Sequence, residues 1–572
     1  MMNRQTATIG GFRQLMQHAG FAFFLTLLFG VTALGQAPSS AAKDISGTWI
    51  AEMQSPGGDS EIVYEFKVEN GKITGTQRLP FGDSPIIDGK IEGNHFEFTV
   101  QTESFGKLND QVVAGEIVGD ELKIAVTMPG PPEGGDSAAP GAGGGPGGAG
   151  EQPAGGAPGA GGPPGGPGGP MAGMKDTTVT VHRGTPRPSY KAASVNYKTL
   201  PKAELPAVKE LSPNGLAKTP PMGWNSWNKF QTKIDDKTVR GIADAIASNG
   251  MKDAGYKYIV IDDGWEWKRD EKGSIVPNPN FPDMKALADY LHSKGLKLGI
   301  YSSPGPLTCA GYEGSYGHEK QDAETYAAWG IDYLKYDWCS ASRVYQETDM
   351  RAAYQKMGEA LQKTGRPIVY ALCQYGREHV EQWGPSVAAN LWRTTGDISD
   401  RYQSMMSNGT AEAELAPYAA PGHWNDPDML EIGNGGMSAT EYQTHFSFWA
   451  ILAAPLLAGN DVRALDDATR KILLNKEVIA VDQDALGKQG HRIARDGETE
   501  VWAKPLTNGA VAVALFNRGS SESEVRIKWA DLQLNGKLKV RDLWAHADLG
   551  ANGDGFTSKV ASHGVVLLRV SK

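Results

Sequence analysis

From about residue 213 to 490, short apolar runs alternate with stretches of amphipathic helical period. Eight runs read as strands, ending near Gly223-Trp224, Ile261-Asp262, Gly299–Tyr301, Leu334–Asp337, Val369–Leu372, Trp392–Thr395, Trp424–Asp426 and Leu456-Leu457. Stretches such as Phe281–His292, Glu319–Trp329 and Arg351–Thr364 repeat apolar residues at helical spacing and fill gaps between the strands. Eight β/α units in succession predict a closed (β/α)8 (TIM) barrel. Polar and aromatic residues gather where the strands end, the end at which such barrels place their chemistry.

Period-two alternation flanks this region on both sides. Ile62–Phe66, followed by Asn70-Gly71, and His95–Val100 read as half-exposed antiparallel strands. Residues 43–185 therefore predict a small β-sandwich or β-barrel. Inside that span, 129–171 is Gly/Pro/Ala low-complexity sequence, which cannot build a core and is expected to be disordered. Thr177–His182 then reads as a strand that returns to the β domain. A linker over 186–212 leads into the barrel at 213–490. From 491 to 572 the alternation resumes in Glu500–Lys504, Ala510–Phe516 and Val565–Val570, predicting a C-terminal antiparallel β-sandwich. The fold class is thus α/β: a TIM barrel with a C-terminal β-sandwich and an additional N-terminal all-β domain.

Charge narrows the partners. A net charge of -10 at pH 7 argues against nucleic acid and anionic membranes and suits a neutral substrate. At the N-terminus, Arg4 and Arg13 precede the apolar run Gly20–Leu34, and Ala33-Leu34-Gly35 is a small-residue cleavage site. Residues 1–36 therefore read as a signal peptide, with an uncleaved anchor as the alternative. The run is short for a full span, so no stable membrane span is expected after cleavage. The location implied is periplasmic or secreted. Three cysteines, Cys309, Cys339 and Cys373, leave one over if an exported chain keeps a disulfide.

Candidate chemistry starts at Tyr333–Cys339. Residues two apart on a strand share a face, so Tyr333, Lys335 and Asp337 point the same way. If that way is the barrel axis, an ammonium beside Asp337 favours the ionised state a nucleophile needs; a structural ion pair fits the same motif. By the same period Arg393, Thr395 and Asp397 align, and a second carboxylate at the mouth completes the pair that glycoside hydrolysis requires. Like-charge repulsion and partial burial are expected to raise the pKa of this second carboxyl, and a helix-capping aspartate is the alternative. The adjacent Asp262 and Asp263 suit hydrogen bonds from sugar hydroxyls; with no His nearby, metal ligation is disfavoured, and an N-cap is the alternative. Of the strand-end tryptophans Trp224, Trp227, Trp265, Trp338, Trp392 and Trp424, most are expected to pack and one or two to touch a pyranose face. Asn425, Asp426 and Asp428 read as supports. The low-complexity glycines do not link a strand to a helix, so they make no dinucleotide loop.

Together these motifs resemble glycoside hydrolase family 27, whose best-known members are α-galactosidases. The resemblance runs from about Ser212 to Gln489 and is carried by Thr219-Pro-Pro-Met-Gly-Trp-Asn-Ser-Trp227, Asp253-Ala-Gly-Tyr256 with Ile261-Asp-Asp-Gly-Trp265, Ser293–Tyr301, Leu334–Asp337, Trp424–Leu430 and Asp482–Gly490. It implies Asp337 as nucleophile and Asp397 as acid/base. It also implies Asp262 and Asp263 on the O4 and O6 hydroxyls, Lys335 and Arg393 on other ring hydroxyls, and Trp227 and Tyr301 lining the pocket. Cys309 and Cys339 match a family disulfide, which leaves Cys373 free. Many relatives carry Cys-Glu-Trp after the fifth strand where this chain has Cys373-Gln374-Tyr375. Gln374 can still donate and accept, but it leaves the sugar preference open.

The expected reaction is release of terminal α-linked galactose by double displacement, which requires carboxyl groups about 5–5.5 Å apart. No metal or organic cofactor is implied, and the partner is an α-galactoside, small or polymeric. The same machinery acting on an α-N-acetylgalactosaminide or a β-L-arabinopyranoside is the near alternative. A non-catalytic carbohydrate-binding protein is the remote one.

Overall fold

A computed structural model describes residues 44–55, 58–79, 82–104, 107–126, 177–186 and 195–572. The expected signal peptide and the low-complexity insert lie outside the described residues.

Eight parallel strands build the central sheet: Met222–Asn225, Tyr258–Val260, Lys297–Ser302, Tyr333–Asp337, Val369–Cys373, Leu391–Arg393, Trp424–Asp426 and Leu456–Ala458. Each pairs with its predecessor in chain order, except that the eighth lies against the first. The ring closes where chain just past the seventh strand meets the eighth, at the parallel bridge Leu430↔Ala458. This is the TIM barrel expected from the alternation. The second strand stops at Val260, slightly before the expected end, and the sixth stops at Arg393. Both carboxylate-bearing segments, Asp262-Asp263 and Asp397, therefore sit on loops just beyond their strands.

Alternation sorts the strand residues between two cores. Val260, Tyr333, Val369, Ala371, Leu391 and Trp424 form one compact cluster. Their chain neighbours Ile259, Leu334, Tyr370, Leu372 and Trp392 belong to a larger cluster that includes the helices. Tyr333 and Leu391 thus belong to the inner set, which puts Lys335, Asp337 and Arg393 on the same inward face by the two-residue period.

The surrounding helices follow their sequence signals. Glu319–Trp329 ends at Gly330, whose φ of 86° is the left-handed C-terminal conformation glycine tolerates. Asp283 caps Met284–Ser293 by accepting from the Ala286 amide. Ser438 and Glu441 form a capping box at the start of Ala439–Leu452.

The C-terminal part is a six-stranded antiparallel sheet facing a two-stranded one, with Val501, Val513, Leu515, Val525, Ile527 and Leu568 in its core. It packs on the barrel through Phe448, whose ring lies 4.9 Å from Trp502 and 4.8 Å from Phe516.

The N-terminal part resolves the sandwich-or-barrel alternative. Eight antiparallel strands between Gly47 and Arg183 close into a barrel, shut by the pairs Trp49↔Arg183 and Ile50↔His182. Thr177–Arg183 is its returning last strand. Tyr64, Phe66, Phe96 and Phe98 fill its interior with rings 5.6–6.3 Å apart. Arg343, just after the fourth strand of the central barrel, donates to the Gln101 carbonyl at 3.2 Å and so ties the accessory barrel to the side of the mouth.

Candidate active site

The inward face of the fourth strand brings Lys335 and Asp337 to the mouth. Asp337 is buried, and one of its oxygens, Oδ1, accepts from the Tyr375 hydroxyl at 2.7 Å. Burial lifts its pKa to about 6; Lys335, the Tyr375 hydrogen bond and Arg393 pull it down, while the Asp397 charge pushes it up.

Asp262 and Asp263 divide their work. Asp262 Oδ2 accepts from Asn225 Nδ2 at 2.7 Å and Lys335 Nζ at 2.8 Å. The ammonium therefore pairs directly with the loop after the second strand and acts on Asp337 through space. Burial works against the Lys335 charge, but Asp262, Cys373, Asp337 and Asp428 together outweigh it, and the pKa lies well above that of an ordinary lysine. Asp263 Oδ2 accepts from the Ala310 amide at 2.6 Å. Its Oδ1 is buried and lacks a hydrogen-bond partner among the described residues. Burial, reinforced by the charges of Asp262 and Asp337, lifts the Asp263 pKa to about 7 against the Ala310 and Thr308 hydrogen bonds. An orphaned buried acceptor is costly, and a ligand hydroxyl is the kind of donor it lacks.

Arg393 anchors the other wall. It is buried, donates to Asp397 Oδ1 at 3.0 Å and the Thr395 carbonyl at 3.1 Å, and lies 3.2 Å from Asp428 Oδ1. Asp428 in turn takes the Ile398 amide at 2.8 Å, fixing the loop that carries Asp397. Asp428 holds a φ of 87°, unfavourable for a non-glycine residue, and Asp426 Oδ1 steadies it by accepting its amide at 2.9 Å. Asn425 accepts from Trp392 Nε1 at 2.9 Å. The reading of Asn425, Asp426 and Asp428 as supports thus has matching contacts.

The expected division of burial is reversed. The carboxyl expected to have its pKa raised was Asp397, yet its side chain is 54% exposed and ion-paired with Arg393. Burial instead falls on Asp337, at the floor of the mouth, because Asp397 stands on a loop beyond its strand.

Five of the six strand-end tryptophans, Trp224, Trp265, Trp338, Trp392 and Trp424, are fully buried and pack. Trp227, at the start of the short helix Trp227–Phe230, is partly exposed. Tyr301 is buried with its hydroxyl 3.1 Å from Cys339 Sγ, and Lys335 Nζ lies 5.2 Å from its ring centre. Gln374 is buried with both amide atoms unpartnered among the described residues.

Cys309 and Cys339 are joined in a disulfide, and Cys373 is free and buried. Among the described residues, one His/Cys/Asp/Glu group has ligand atoms clustered as a metal would require: Cys309, Asp337 and Cys339. Its two sulfurs are bonded to each other, so it offers no thiolate. Two contributors escaped the sequence reading: the Tyr375 hydroxyl on Asp337, and Glu266, a fully buried carboxyl behind Asp263. Neither belongs to a spacing pattern; the unusual Cys-Gln-Tyr run was the only pointer to the first.

Arranged this way, two carboxylates meet at one mouth, linked through Tyr375 and Arg393, beside acceptors lacking donors. That composition suits polar, hydroxylated ligands and acid/base or nucleophilic work at an acetal carbon. Comparison with known proteins agrees. Residues 219–484 match a family model described as alpha galactosidase A, and residues 496–570 match the alpha galactosidase C-terminal beta sandwich domain. Alpha-galactosidase 2 of Arabidopsis thaliana is 52% identical over 340 residues, 58% of this chain and 85% of that protein. Alpha-galactosidase A of Cellvibrio japonicus is 45% identical over 381 residues, 62% of this chain and 93% of that protein. The crystal structure of alpha-galactosidase I from Mortierella vinacea superposes with a TM-score of 0.61 at 39% identity, covering 63% of this chain and 99% of that one.

Proposed function

Because the chain belongs to the α-galactosidase family, glycoside hydrolase family 27, we propose that it releases terminal α-linked galactose with Asp337 as nucleophile and Asp397 as general acid/base. In the first step an Asp337 oxygen bonds to the anomeric carbon as the bond to the departing oxygen breaks, and Asp397 gives that oxygen its proton. In the second, water bonds to the same carbon, the Asp337 ester bond breaks, and Asp397 takes the water's proton back. The observation that carries the assignment is the linkage of the two carboxyls across one mouth. Tyr375 donates to Asp337, the Arg393 guanidinium lies 5.8 Å from the Tyr375 ring centre, and Arg393 donates to Asp397.

Asp263, with its unpartnered Oδ1, and Gln374 are assigned to sugar hydroxyls, with Asp262, Lys335, Tyr301, Arg393 and Trp227 forming the rest of the pocket. Export to the periplasm or medium is supported by the signal-like N-terminus and by the Cys309–Cys339 disulfide, a bond that persists in oxidising compartments. Among the described residues no helix is long and apolar enough to cross a membrane. The accessory barrel and its insert are proposed as a separate unit appended to the catalytic and sandwich domains.

The test is a nitrophenyl glycoside panel on wild type and Asp337→Asn. The α-galactoside should be the preferred substrate, and the variant should lose roughly 10³-fold or more in turnover with its fold intact. Near-normal turnover in a clean variant preparation would refute the nucleophile. Preference for the α-N-acetylgalactosaminide or the β-L-arabinopyranoside would redirect the specificity.

A further inference from the structure

We propose that Tyr375 is a positioning residue for the nucleophile: its hydroxyl occupies Asp337 Oδ1 and so leaves the other oxygen, Oδ2, to attack. The inference rests on Asp337 being the nucleophile.

The contact itself is short, 2.7 Å from the phenol oxygen to Asp337 Oδ1. Burial, reinforced by the Asp337 charge, holds the phenol well above its ordinary ionisation range, so Tyr375 keeps its proton and donates whenever Asp337 is ionised. A bond from a neutral donor to a carboxylate is charge-assisted and favours the ionised partner. The two oxygens of Asp337 are thereby made unequal.

The backbone is bent to produce this contact. Tyr375 has a φ of 62° and Gly376 one of 75°, two successive left-handed residues at the end of the fifth strand. That conformation is unfavourable for a tyrosine and persists only where surroundings enforce it. Here they do. The Gly376 amide donates to the Arg393 carbonyl at 3.0 Å, and a Cβ on Gly376 would fall 2.3 Å from the Thr394 carbonyl oxygen. The loop is thus pressed against the end of the sixth strand. The ring lies beside the Arg393 guanidinium, 5.8 Å from centroid to carbon, and the hydroxyl lies 3.8 Å from Cys309 Sγ. Backbone, cation and disulfide converge to hold one hydroxyl on one carboxylate oxygen.

Other charged and titratable groups also act on Asp337. Lys335 comes from its own strand, Asp263 from the loop after the second, and Tyr301 from the third. Cys373 comes from the fifth strand, Arg393 and Asp397 from the sixth strand and its loop, and Tyr354 from the helix Met350–Lys363. Tyr375→Phe leaves all of them in place and deletes only the donor. Because the hydrogen bond favours ionised Asp337, deleting it should move the acid limb of kcat/KM upward by about one pH unit. Turnover on a nitrophenyl α-galactoside should fall roughly tenfold even on the pH plateau, since the attacking oxygen is no longer selected.

Two measurements separate this proposal from the reading beneath it. A fluorinated galactosyl fluoride that traps the glycosyl-enzyme, followed by peptide mass mapping, should label Asp337 in wild type; a label on another residue would overturn the nucleophile assignment itself. With the label on Asp337, a Tyr375→Phe protein of wild-type melting temperature and an unmoved acid limb would overturn the role of Tyr375 alone. If the variant melts early, Tyr375→Met, a flexible apolar side chain without a comparable donor, supplies the second profile, and a wild-type limb there has the same force.

Discussion

Replacing Asp263 with Asn should make the enzyme worse and, at alkaline pH, more stable. An ordinary aspartate ionises near 3.8, whereas burial raises Asp263 to about 7. For an acid whose folded pKa lies above its unfolded value, stability is intact below the unfolded pKa. It is lost progressively as pH rises to the folded one. At about 1.36 kcal/mol per tenfold, the ionised side chain costs the fold at most about 4 kcal/mol above pH 7. Asn has no proton to lose and escapes that cost. Its amide can still accept from Ala310, but its NH2 then sits where Oδ1 was, without a partner, at a cost of about 1–3 kcal/mol. The balance changes sign with pH. Near pH 4 the variant should be less stable by about 1–3 kcal/mol, and near pH 8 more stable by a similar amount. Activity moves the other way: losing one hydrogen bond between a charged acceptor and a sugar hydroxyl, worth about 1.5–3 kcal/mol, lowers kcat/KM about 10- to 150-fold. Urea unfolding of the barrel at pH 4 and 8, with nitrophenyl α-galactoside kinetics at pH 8, where Asp263 is ionised, checks both halves. A stability difference that does not vary with pH, or kcat/KM within a few-fold of wild type, would show that Oδ1 is neither the buried ionising group nor a substrate contact.

Two further outcomes follow from the other wall. Asp397→Ala should depress turnover of natural oligosaccharides about 10²- to 10⁴-fold, and depress galactosylation by a nitrophenyl substrate much less, because nitrophenolate departs without a proton; equal losses on both would remove Asp397 from the acid role. Asp428→Ala should cost about 3–5 kcal/mol in chemical denaturation by leaving Arg393 short of a buried partner, and should lower activity too, because the Ile398 amide that holds the Asp397 loop loses its acceptor; a stable, fully active variant would deny it that anchoring role.

The barrel was readable because its signals are local and repeated. Each strand is a short apolar run, each helix carries its period, and caps such as Asp283 and Gly330 mark the ends. Glu319–Trp329 matches the expected helix at both ends. The inward placement of Lys335 and Asp337 follows from a two-residue period alone. What stayed hidden depends on the third dimension. Lys335 was expected beside Asp337, but its direct partner at 2.8 Å is Asp262, two strands away in the barrel order. Which carboxyl is buried could not be read from spacing, since Asp337 ends a strand and Asp397 lies a few residues past one. The closed form of the N-terminal β domain needed the pairing of Trp49 with Arg183, partners separated by the low-complexity stretch.

Charge at the mouth does not balance, and the imbalance has a direction. Asp262, Asp263, Asp337, Asp426 and Asp428 are all buried, and among the described residues the cations set against them are the buried Arg393 and the half-buried Lys335. The surplus appears as resistance to ionisation: burial drives Asp263 to about 7, and Asp337 and Asp426 each to about 6. Such a cluster is an expensive way to stabilise a fold, since buried charges repay their desolvation only when paired. It is a favourable environment for a ligand that becomes positive. Glycoside cleavage passes through an oxocarbenium-like state in which charge develops on the sugar ring, and fixed surrounding anions then act without reorganising. The carboxylates that repel one another in the resting enzyme therefore attract the transition state more than the neutral substrate, and that difference is what accelerates a reaction.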